Sequence, residues 1–404
     1  MFGKKTENIS VASGRIPDFG YLKRDDIYMD NACQNLRPQP VIDSMDRYYR
    51  TYNACGGRVK YKWGQKVDGE VEETRELVLD YLGLSKKDYI CTFTLNTTYG
   101  INLILSQLPD GIFKQVTISE IEHNSVFLPT IKLAGRLGVP RKVLNRDEDG
   151  GLKYEMSDLE KSVVVVNTTS NIDGRLLVNL KQLINDTHKS NGIVIIDAAQ
   201  TMAHYHELLI GCSADAICFS AHKVYAGSLG VVVIRKELLG SLTIGFVGGG
   251  MVSSVQEQSF TLLPAEDMTA WLEPGLQAYG EIISLKNAIM WLKIVKPAGL
   301  NPSDYMKKMS ESLFKGLSAI PDLKMINNRP SSVISVYTNK VDAHRLATFL
   351  SASGIMVRSG YFCCHYYLLE KKKYPPLLRF SIGLQTTEAD IQKTVEIMKK
   401  ITRG

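Results

Sequence analysis

Two segments in the middle of the chain consist almost entirely of β-branched residues. They are Ser162-Val-Val-Val-Val166 and Ile193-Val-Ile-Ile196. Near-continuous apolar runs of this length are typical of strands buried on both faces, which occur in parallel sheets covered by helices. Helical segments separate these runs from further strand-like segments, including residues 89–94 and 116–119. This alternation predicts an α/β fold with a largely parallel, doubly wound sheet.

The pattern changes along the chain in a way that predicts three parts. Residues 1–25 are polar and irregular and predict an N-terminal arm, whereas residues 26–285 contain the strand–helix repeats of a large domain. Residues 286–404 predict a smaller α+β domain that closes with an amphipathic helix over residues 387–401. A chain of 404 residues is long enough for one large and one small domain.

Composition and charge argue against several classes of protein. The 48 basic and 42 acidic residues give a net charge of +6, and the basic residues are spread thinly, so nucleic-acid binding is not expected. No apolar run approaches the roughly 20 residues that cross a bilayer, and the first residues lack the apolar core of a signal peptide. These features predict a cytoplasmic protein without a membrane segment.

Cysteine usage agrees with a reducing compartment. The chain has seven cysteines, an odd number without the spacing of a disulfide scaffold. In such a protein an important cysteine is more often reactive than structural. Neither Cys-x-x-Cys nor His-x-x-x-His occurs, so a metal site is not expected.

Polar residues follow the predicted strands at the edge where α/β sheets bind ligands. The candidates are Thr97, Thr98, His123, Asn171, Asp197, Gln200, Ser220, His222 and Lys223. Several of them have ordinary structural alternatives: Lys223 can extend to solvent, the threonines can cap a helix, and His123 can be a buried core histidine. Asp197 is harder to explain in this way, because a carboxylate at a buried strand end needs a cationic partner.

Together these groups match the requirements of pyridoxal 5′-phosphate (PLP). Lys223 supplies the amine for a Schiff base, and Asp197 supplies the carboxylate that keeps the ring nitrogen protonated. The phosphate needs hydroxyl donors at a helix N-terminus, the phenolic oxygen needs amide donors, and the ring needs a flat stacking partner. The residues that fill these three roles are, in order, Thr97 with Thr98, Gln200 with Asn171, and His123.

Several motifs resemble those of the class V aminotransferase family, and within it the cysteine desulfurases and selenocysteine lyases of the Suf-type branch. The motifs are Asp197-Ala-Ala-Gln200, Ser220-Ala-His-Lys223, Glu122-His123, Ser170-Asn171-x-x-Gly174 and Arg379-Phe-Ser-x-Gly383. The resemblance implies a PLP-dependent transferase of fold type I, with a mainly parallel seven-stranded sheet in the large domain. It also implies a homodimer with the cofactor near the subunit interface, and phosphate contacts from Ser220 and His222.

A loop near the C-terminus resembles the Arg-x-Gly-x-x-Cys loop that carries the sulfur-accepting cysteine in Suf-type enzymes. In the segment Val-Arg-Ser-Gly-Tyr-Phe-Cys-Cys-His, Arg358, Gly360 and Cys363 match this pattern. The resemblance therefore implies that Cys363 is the nucleophile. Its neighbour Cys364 is interpreted either as a packing residue or as a resolving thiol.

The resemblance also implies how a substrate binds and reacts. Arg379 would hold the α-carboxylate of L-cysteine through a bidentate guanidinium contact, assisted by Arg358 and Asn171. Lys223 would remove the Cα proton, and His123 would stack on the cofactor and take the thiol proton. The products would be L-alanine and a persulfide, whose sulfur passes to an acceptor protein for iron–sulfur clusters or other sulfur-containing cofactors.

Three positions depart from the family pattern and leave other reactions open. Leucine stands at 276 where the family has a threonine that reaches the partner's phosphate, tyrosine stands at 99 in place of glutamate, and threonine stands at 168 in place of histidine. The alternatives are a selenocysteine lyase, a transaminase, an epimerase or a kynureninase-like lyase. A PLP-binding scaffold for sulfur transfer is a further alternative, which the intact Lys223 and Arg379 disfavour.

Overall fold

The computed structural model describes residues 14–57 and 59–403, so residues 1–13 of the predicted arm lie outside the described residues. None of the helices in this described part is long and apolar enough to span a lipid bilayer.

The α-helices of the described part are α1 (Gln39–Thr51), α2 (Lys62–Tyr81), α3 (Thr97–Gln107), α4 (Asn124–Leu137), α5 (Leu180–Lys189), α6 (Lys236–Ser241), α7 (Tyr279–Ile294), α8 (Pro302–Ser318), α9 (Ala343–Ala352) and α10 (Glu388–Arg403). The strands are β1 (Ile27–Tyr28), β2 (Tyr89–Thr94), β3 (Gln115–Ser119), β4 (Arg141–Leu144), β5 (Ser162–Asn167), β6 (Ile193–Asp197), β7 (Ala216–Ser220), β8 (Gly230–Arg235), β9 (Val252–Val255), β10 (Phe260–Leu262), β11 (Lys324–Met325), β12 (Val333–Tyr337), β13 (Ile355–Met356), β14 (Arg358–Gly360) and β15 (Leu377–Ser381).

The main sheet of the described residues has seven strands in the order β2-β8-β7-β6-β5-β3-β4. Strand β8 runs antiparallel to both of its neighbours, and the other pairs in the sheet are parallel. The valines at positions 163–166 of the interior strand β5 are completely buried, as expected for a strand covered on both faces. The predicted α/β class with a mainly parallel seven-stranded sheet is confirmed.

The parallel strands bring polar groups to one edge of this sheet. Strands β2, β3, β5, β6 and β7 all point in the same direction, so the segments that follow them meet at their carboxyl ends. Each of these segments carries at least one of the site residues that the sequence predicts. The topology therefore explains how side chains from distant parts of the chain come together.

A second sheet, of four antiparallel strands in the order β11-β12-β15-β14, lies in the C-terminal part of the described chain. Strand β1 pairs in parallel with β13, and Asp30 forms an isolated parallel bridge with Ser381. The segment after the arm is thus hydrogen-bonded to the C-terminal part, although the sequence assigns it to the large domain. The predicted boundary at residues 285–286 lies within α7, and the predicted division of the chain stays a prediction.

Tyr225 connects the turn after β7 with the C-terminal part of the chain. Its ring is completely buried and packs against Trp291 with a centroid distance of 5.2 Å. Its hydroxyl accepts the backbone N–H of Leu384 at 2.9 Å and lies 3.4 Å from Nε2 of His204. The hydroxyl therefore joins the backbone of Leu384 to the His204 ring.

We expect Tyr225→Phe to lower the free energy of unfolding by about 1–3 kcal/mol, since it leaves a buried backbone N–H and a buried imidazole nitrogen without this partner. Urea denaturation followed by circular dichroism measures the change. Tyr61→Phe is the matched control, because the Tyr61 hydroxyl lies on an exposed side chain, and a change below about 0.5 kcal/mol is expected there. Equal midpoints for Tyr225→Phe and the wild type would contradict the prediction.

Candidate active site

The residues that the sequence predicts for the site surround one cavity of about 310 Å³ at the carboxyl edge of the main sheet. The predicted residues that line it are Thr97, Thr98, His123, Asn171, Asp197, Gln200, Ser220, His222, Lys223, Arg358, Cys363 and Arg379. Further lining residues that the sequence analysis did not single out include Cys33, Ser125 and Asn167. Among the described residues, no group of three or more His, Cys, Asp or Glu side chains could hold a metal ion.

Lys223 and Asp197 form the charged centre of the cavity. Lys223 ends a short 3-10 turn after β7, and its carbonyl oxygen accepts a hydrogen bond from Asn35 Nδ2 at 2.6 Å. Burial lowers the pKa of the Lys223 amine, and the Asp197 carboxylate opposes this shift. Burial raises the pKa of Asp197, which is opposed by the Ala199 N–H donated to Oδ1 at 2.9 Å and by Lys223. Burial thus makes the Lys223 amine easier to deprotonate than that of an exposed lysine.

The N-terminus of α3 presents hydroxyl groups to the same cavity. Asn96 is the N-cap of this helix, so the two threonines stand in its first turn and do not cap it. Ser220 Oγ accepts the backbone N–H of Thr97 at 2.9 Å and lies 2.6 Å from its Oγ1. Thr98 Oγ1 lies 2.6 Å from Ser125 Oγ. A helix N-terminus lined by hydroxyls is suited to binding an anion such as a phosphate.

His123 is the N-cap of α4 and faces the cavity as a neutral ring. Its Nδ1 accepts the backbone N–H of Ser125 at 3.1 Å, so the neutral imidazole carries its proton on Nε2. Burial, with Lys223 and Arg379 nearby, lowers the pKa of His123 to about 4. Burial and Lys223 also lower the pKa of His222 to about 4. Both imidazoles are therefore neutral at physiological pH.

A carboxylate that the sequence analysis missed lies between the two predicted substrate arginines. Arg358 and Arg379 are register partners on β14 and β15. Asp30 Oδ2 accepts from Arg358 Nε at 3.0 Å, and its Oδ1 accepts from Arg379 Nη2 at 3.1 Å. Arg358 Nη2 also lies 2.9 Å from Cys33 Sγ. The proximity of Asp30 and Cys33 to these arginines depends on the pairing of β1 with β13, which has no local sequence signal.

Cys363 is exposed and lines the cavity. Phe362 and Cys363 have φ angles of 48° and 58°, in the left-handed region that non-glycine residues seldom occupy. Two hydrogen bonds hold this backbone: Asn124 N–H donates to the Cys363 carbonyl at 2.7 Å, and Asn171 Nδ2 donates to the Phe362 carbonyl at 2.8 Å. The backbone that carries the Cys363 thiol is therefore held by hydrogen bonds at both Phe362 and Cys363.

The two predicted amide donors have protein partners in this structure. Gln200 Nε2 donates to the Ala32 carbonyl at 2.7 Å. Asn171 uses its NH₂ group for the Phe362 carbonyl, and its Oδ1 accepts from the Cys364 thiol at 3.0 Å. Contacts of these amides to a cofactor or substrate stay a prediction. Leu276, at the departure from the family pattern, is 76% exposed and is not among the residues that line the cavity.

Comparisons with known proteins agree with this geometry. The family model "Aminotransferase class-V" matches residues 27–394. A probable cysteine desulfurase from Methanothermobacter thermautotrophicus is 29% identical over 395 residues, covering 94% of this chain and 96% of the relative. The apo structure of a cysteine desulfurase from Thermococcus onnurineus NA1 has a TM-score of 0.84 and 25% identity, covering 96% of this chain and 97% of that chain. A mutant of C-DES with glycine covalently linked to its PLP cofactor has a TM-score of 0.77 and 16% identity, covering 93% and 96%.

The family match extends over nearly the whole chain, so this protein belongs to the class-V aminotransferase family. The resemblance found in the sequence motifs is thus confirmed at the level of the family. The chain also covers nearly the full length of the compared desulfurases, which agrees with a similar overall architecture.

We expect His123 to stay neutral in the folded protein down to a pH of about 5, because the pKa of its imidazole is lowered from 6.5 to about 4. In the unfolded chain the same residue titrates near its ordinary value of about 6.5. The unfolded state therefore binds more protons between these values, and His123 destabilises the fold as the pH falls from 6.5 to about 4.

A ¹⁵N-NMR titration measures this pKa, with the signal assigned by its absence in His123→Gln. The urea-unfolded protein is the control and should titrate near pH 6.5. The prediction also requires Nε2 to be the protonated nitrogen. A folded-state transition near pH 6.5 would contradict the lowered pKa of His123. Protonation at Nδ1 would contradict the hydrogen bond from the Ser125 N–H.

Proposed function

We propose that this protein is a PLP-dependent cysteine desulfurase, which converts L-cysteine to L-alanine and captures the sulfur as a persulfide on Cys363. The observation that carries the proposal is the position of an exposed Cys363 thiol on the cavity that also contains Lys223, Asp197 and Arg379. The cysteine desulfurases among the similar proteins support the same reaction.

The side chains around the cavity fit PLP. Lys223 offers an amine whose pKa is lowered by burial, and Asp197 is a buried carboxylate close enough to affect that pKa. The hydroxyls of Thr97, Thr98 and Ser220 would hold the phosphate at the N-terminus of α3, together with His222. When bound, PLP supplies an electron sink for the charge left at the substrate Cα after deprotonation. The structural relative C-DES, which carries covalently linked PLP, supports this assignment.

The charged residues of the cavity suit the carboxylate and the Cα proton of L-cysteine. Arg379 is almost completely buried, so a carboxylate bound to its guanidinium would be little screened by water. Arg358 adds a second positive charge at the rim of the cavity. We assign the substrate α-carboxylate to these arginines, and the Cα proton to the amine of Lys223.

His123 would stack on the cofactor ring with Nε2–H available as a donor. Its pKa of about 4 and the occupied Nδ1 disfavour the predicted role of accepting the substrate thiol proton. The sulfur transfer does not require such an acceptor. The Cys363 thiolate forms a bond to the substrate sulfur, the Cβ–sulfur bond breaks, and its electron pair stays on carbon, which takes up a proton. The balance is L-cysteine plus Cys363–SH giving L-alanine plus Cys363–S–SH.

We further propose a cytoplasmic homodimer that transfers the persulfide sulfur to an acceptor protein for iron–sulfur clusters or other sulfur-containing cofactors. Exposed apolar side chains support a subunit contact, among them Phe246, Val255, Phe260 and Leu276. The seven cysteines are all free thiols, which supports a reducing compartment. Nucleic acid and membranes are not expected partners.

We expect the PLP-loaded protein to form L-alanine from L-cysteine and to carry one additional sulfur on Cys363. Cys363→Ser should keep the absorbance of bound PLP and lose sulfide release by at least about 100-fold, because the nucleophile is gone. Alanine is quantified by chromatography, and the persulfide is located by mass spectrometry of alkylated peptides.

Cys55→Ser is the matched control, since Cys55 is also an exposed free thiol but does not line the cavity. It should react like the wild type. If Cys363→Ser turned over as fast as the wild type, Cys363 would not be the sulfur acceptor. Transfer of the amino group to a 2-oxo acid without sulfur release would instead identify a transaminase.

We expect Arg379→Lys to raise the KM for L-cysteine by about 10- to 100-fold, equivalent to about 1.4–2.8 kcal/mol. Lysine keeps the charge but cannot form the bidentate contact to a carboxylate. Steady-state alanine formation measures the change, and Arg329→Lys, at an exposed ion pair with Asp149, is the control. A KM within twofold of the wild type would show that Arg379 does not bind the carboxylate.

A further inference from the structure

Cys364 follows the proposed sulfur acceptor directly, but its environment is entirely different. Its side chain is 1% exposed, whereas Cys363 is exposed. Burial raises the pKa of the Cys364 thiol, so this residue stays a protonated hydrogen-bond donor. A buried, protonated thiol is a poor nucleophile, which argues against the alternative of a resolving thiol.

The proton of Cys364 has a specific acceptor. Sγ lies 3.0 Å from Oδ1 of Asn171, while Nδ2 of the same amide donates to the Phe362 carbonyl at 2.8 Å. With the amide reversed, its NH₂ group would face the thiol proton and its oxygen would face the Phe362 carbonyl. The Cys364 thiol and the Phe362 carbonyl together therefore fix the orientation of the Asn171 amide.

The two hydrogen bonds of the Asn171 amide are made to Phe362 and Cys364, the residues on either side of Cys363. Phe362 and Cys363 both have positive φ angles, and such conformations cost of order 1–3 kcal/mol each and persist only where the surroundings hold them. The backbone bonds of Cys363 to Asn124 and of Cys364 to Tyr361 contribute, at 2.7 and 2.8 Å. The Asn171 amide is a side-chain anchor of the same segment.

Asn171 also contacts the proposed substrate arginine. Its backbone carbonyl accepts from Arg379 Nη1 at 2.9 Å, and the Arg379 guanidinium lies 4.6 Å from the centroid of the Phe362 ring. The amide that Cys364 orients thus belongs to a residue placed between the sulfur acceptor and the carboxylate-binding group. A loss of orientation at Asn171 would move the thiol relative to the substrate.

We propose that Cys364 is a positioning residue, whose thiol orients the Asn171 amide and thereby holds Cys363 in the conformation that directs its sulfur into the cavity. This inference rests on the proposed role of Cys363 as sulfur acceptor. It concerns the geometry of sulfur transfer and leaves the deprotonation of the substrate Cα to Lys223.

The test compares Cys364→Ala with Cys364→Ser. Alanine removes the donor, and serine retains a donor at the same position. We expect Cys364→Ala to form the Cys363 persulfide about 5- to 10-fold more slowly, as for the loss of one neutral hydrogen bond. The KM for L-cysteine and the exchange of its Cα hydrogen in D₂O should change by less than twofold. Cys364→Ser should restore at least half of the wild-type rate.

A second readout does not depend on turnover. The backbone N–H groups of Asn124 and Cys364 are bonded to the cysteine loop, so their deuterium exchange should accelerate in Cys364→Ala and stay near the wild-type rate in Cys364→Ser. Cys212→Ala is the matched control, because Cys212 is equally buried at 1% exposure in the main hydrophobic core. It should change neither exchange at the loop nor sulfur transfer.

Wild-type rates in Cys364→Ala, or an equal loss in Cys364→Ser, would overturn the proposal. Persulfide sulfur on Cys364 itself would also overturn it. If the wild type formed neither alanine nor persulfide, the proposed function would fail. The amide exchange of the three variants would still decide whether Cys364 positions the loop.

Discussion

The common direction of five strands determines where the chemistry of this protein is located. Strands β2, β3, β5, β6 and β7 end at one edge of the main sheet, and the antiparallel β8 begins there, opposite the end of β7. The apolar side chains of these strands are buried on both faces of the sheet, which holds the strands in the interior of the fold. The polar segments that follow these strands are brought into one cavity.

Burial from water at that edge shifts the pKa values of side chains that line the cavity. Burial disfavours every charged form, and it lowers the pKa values of both Lys223 and His123. The guanidinium of Arg379 remains charged, with the Asp30 carboxylate beside it. The cavity therefore combines the Lys223 amine, whose pKa is lowered by burial, with the guanidinium groups of Arg358 and Arg379. A phosphate and a carboxylate complement such charges, whereas a cationic ligand would be disfavoured.

The sequence predicts the main sheet and much of the cavity because both depend on local patterns. Buried strands have apolar runs, and the groups at their ends occupy fixed positions after those runs, as Asp197 does after β6. The contacts of Asp30 with Arg358 and Arg379 could not be predicted in this way. They join positions more than 300 residues apart through a two-residue strand pair, which is too short to have a pattern. The tautomer of His123 likewise depends on the geometry of a helix cap.

The cysteine loop shows why adjacent residues of the same type take different roles. Consecutive left-handed residues turn the chain sharply, so that Cys363 faces the cavity while Cys364 points into the protein. The turn is unfavourable in itself, and it is stabilised by bonds to Asn124 and Asn171. These two residues follow β3 and β5, and therefore belong to the rigid sheet edge. In the proposed reaction the Cys363 thiol must reach a sulfur atom of a substrate that is held by groups on that same edge. Because the loop is anchored there too, the position of the nucleophile relative to the substrate is fixed.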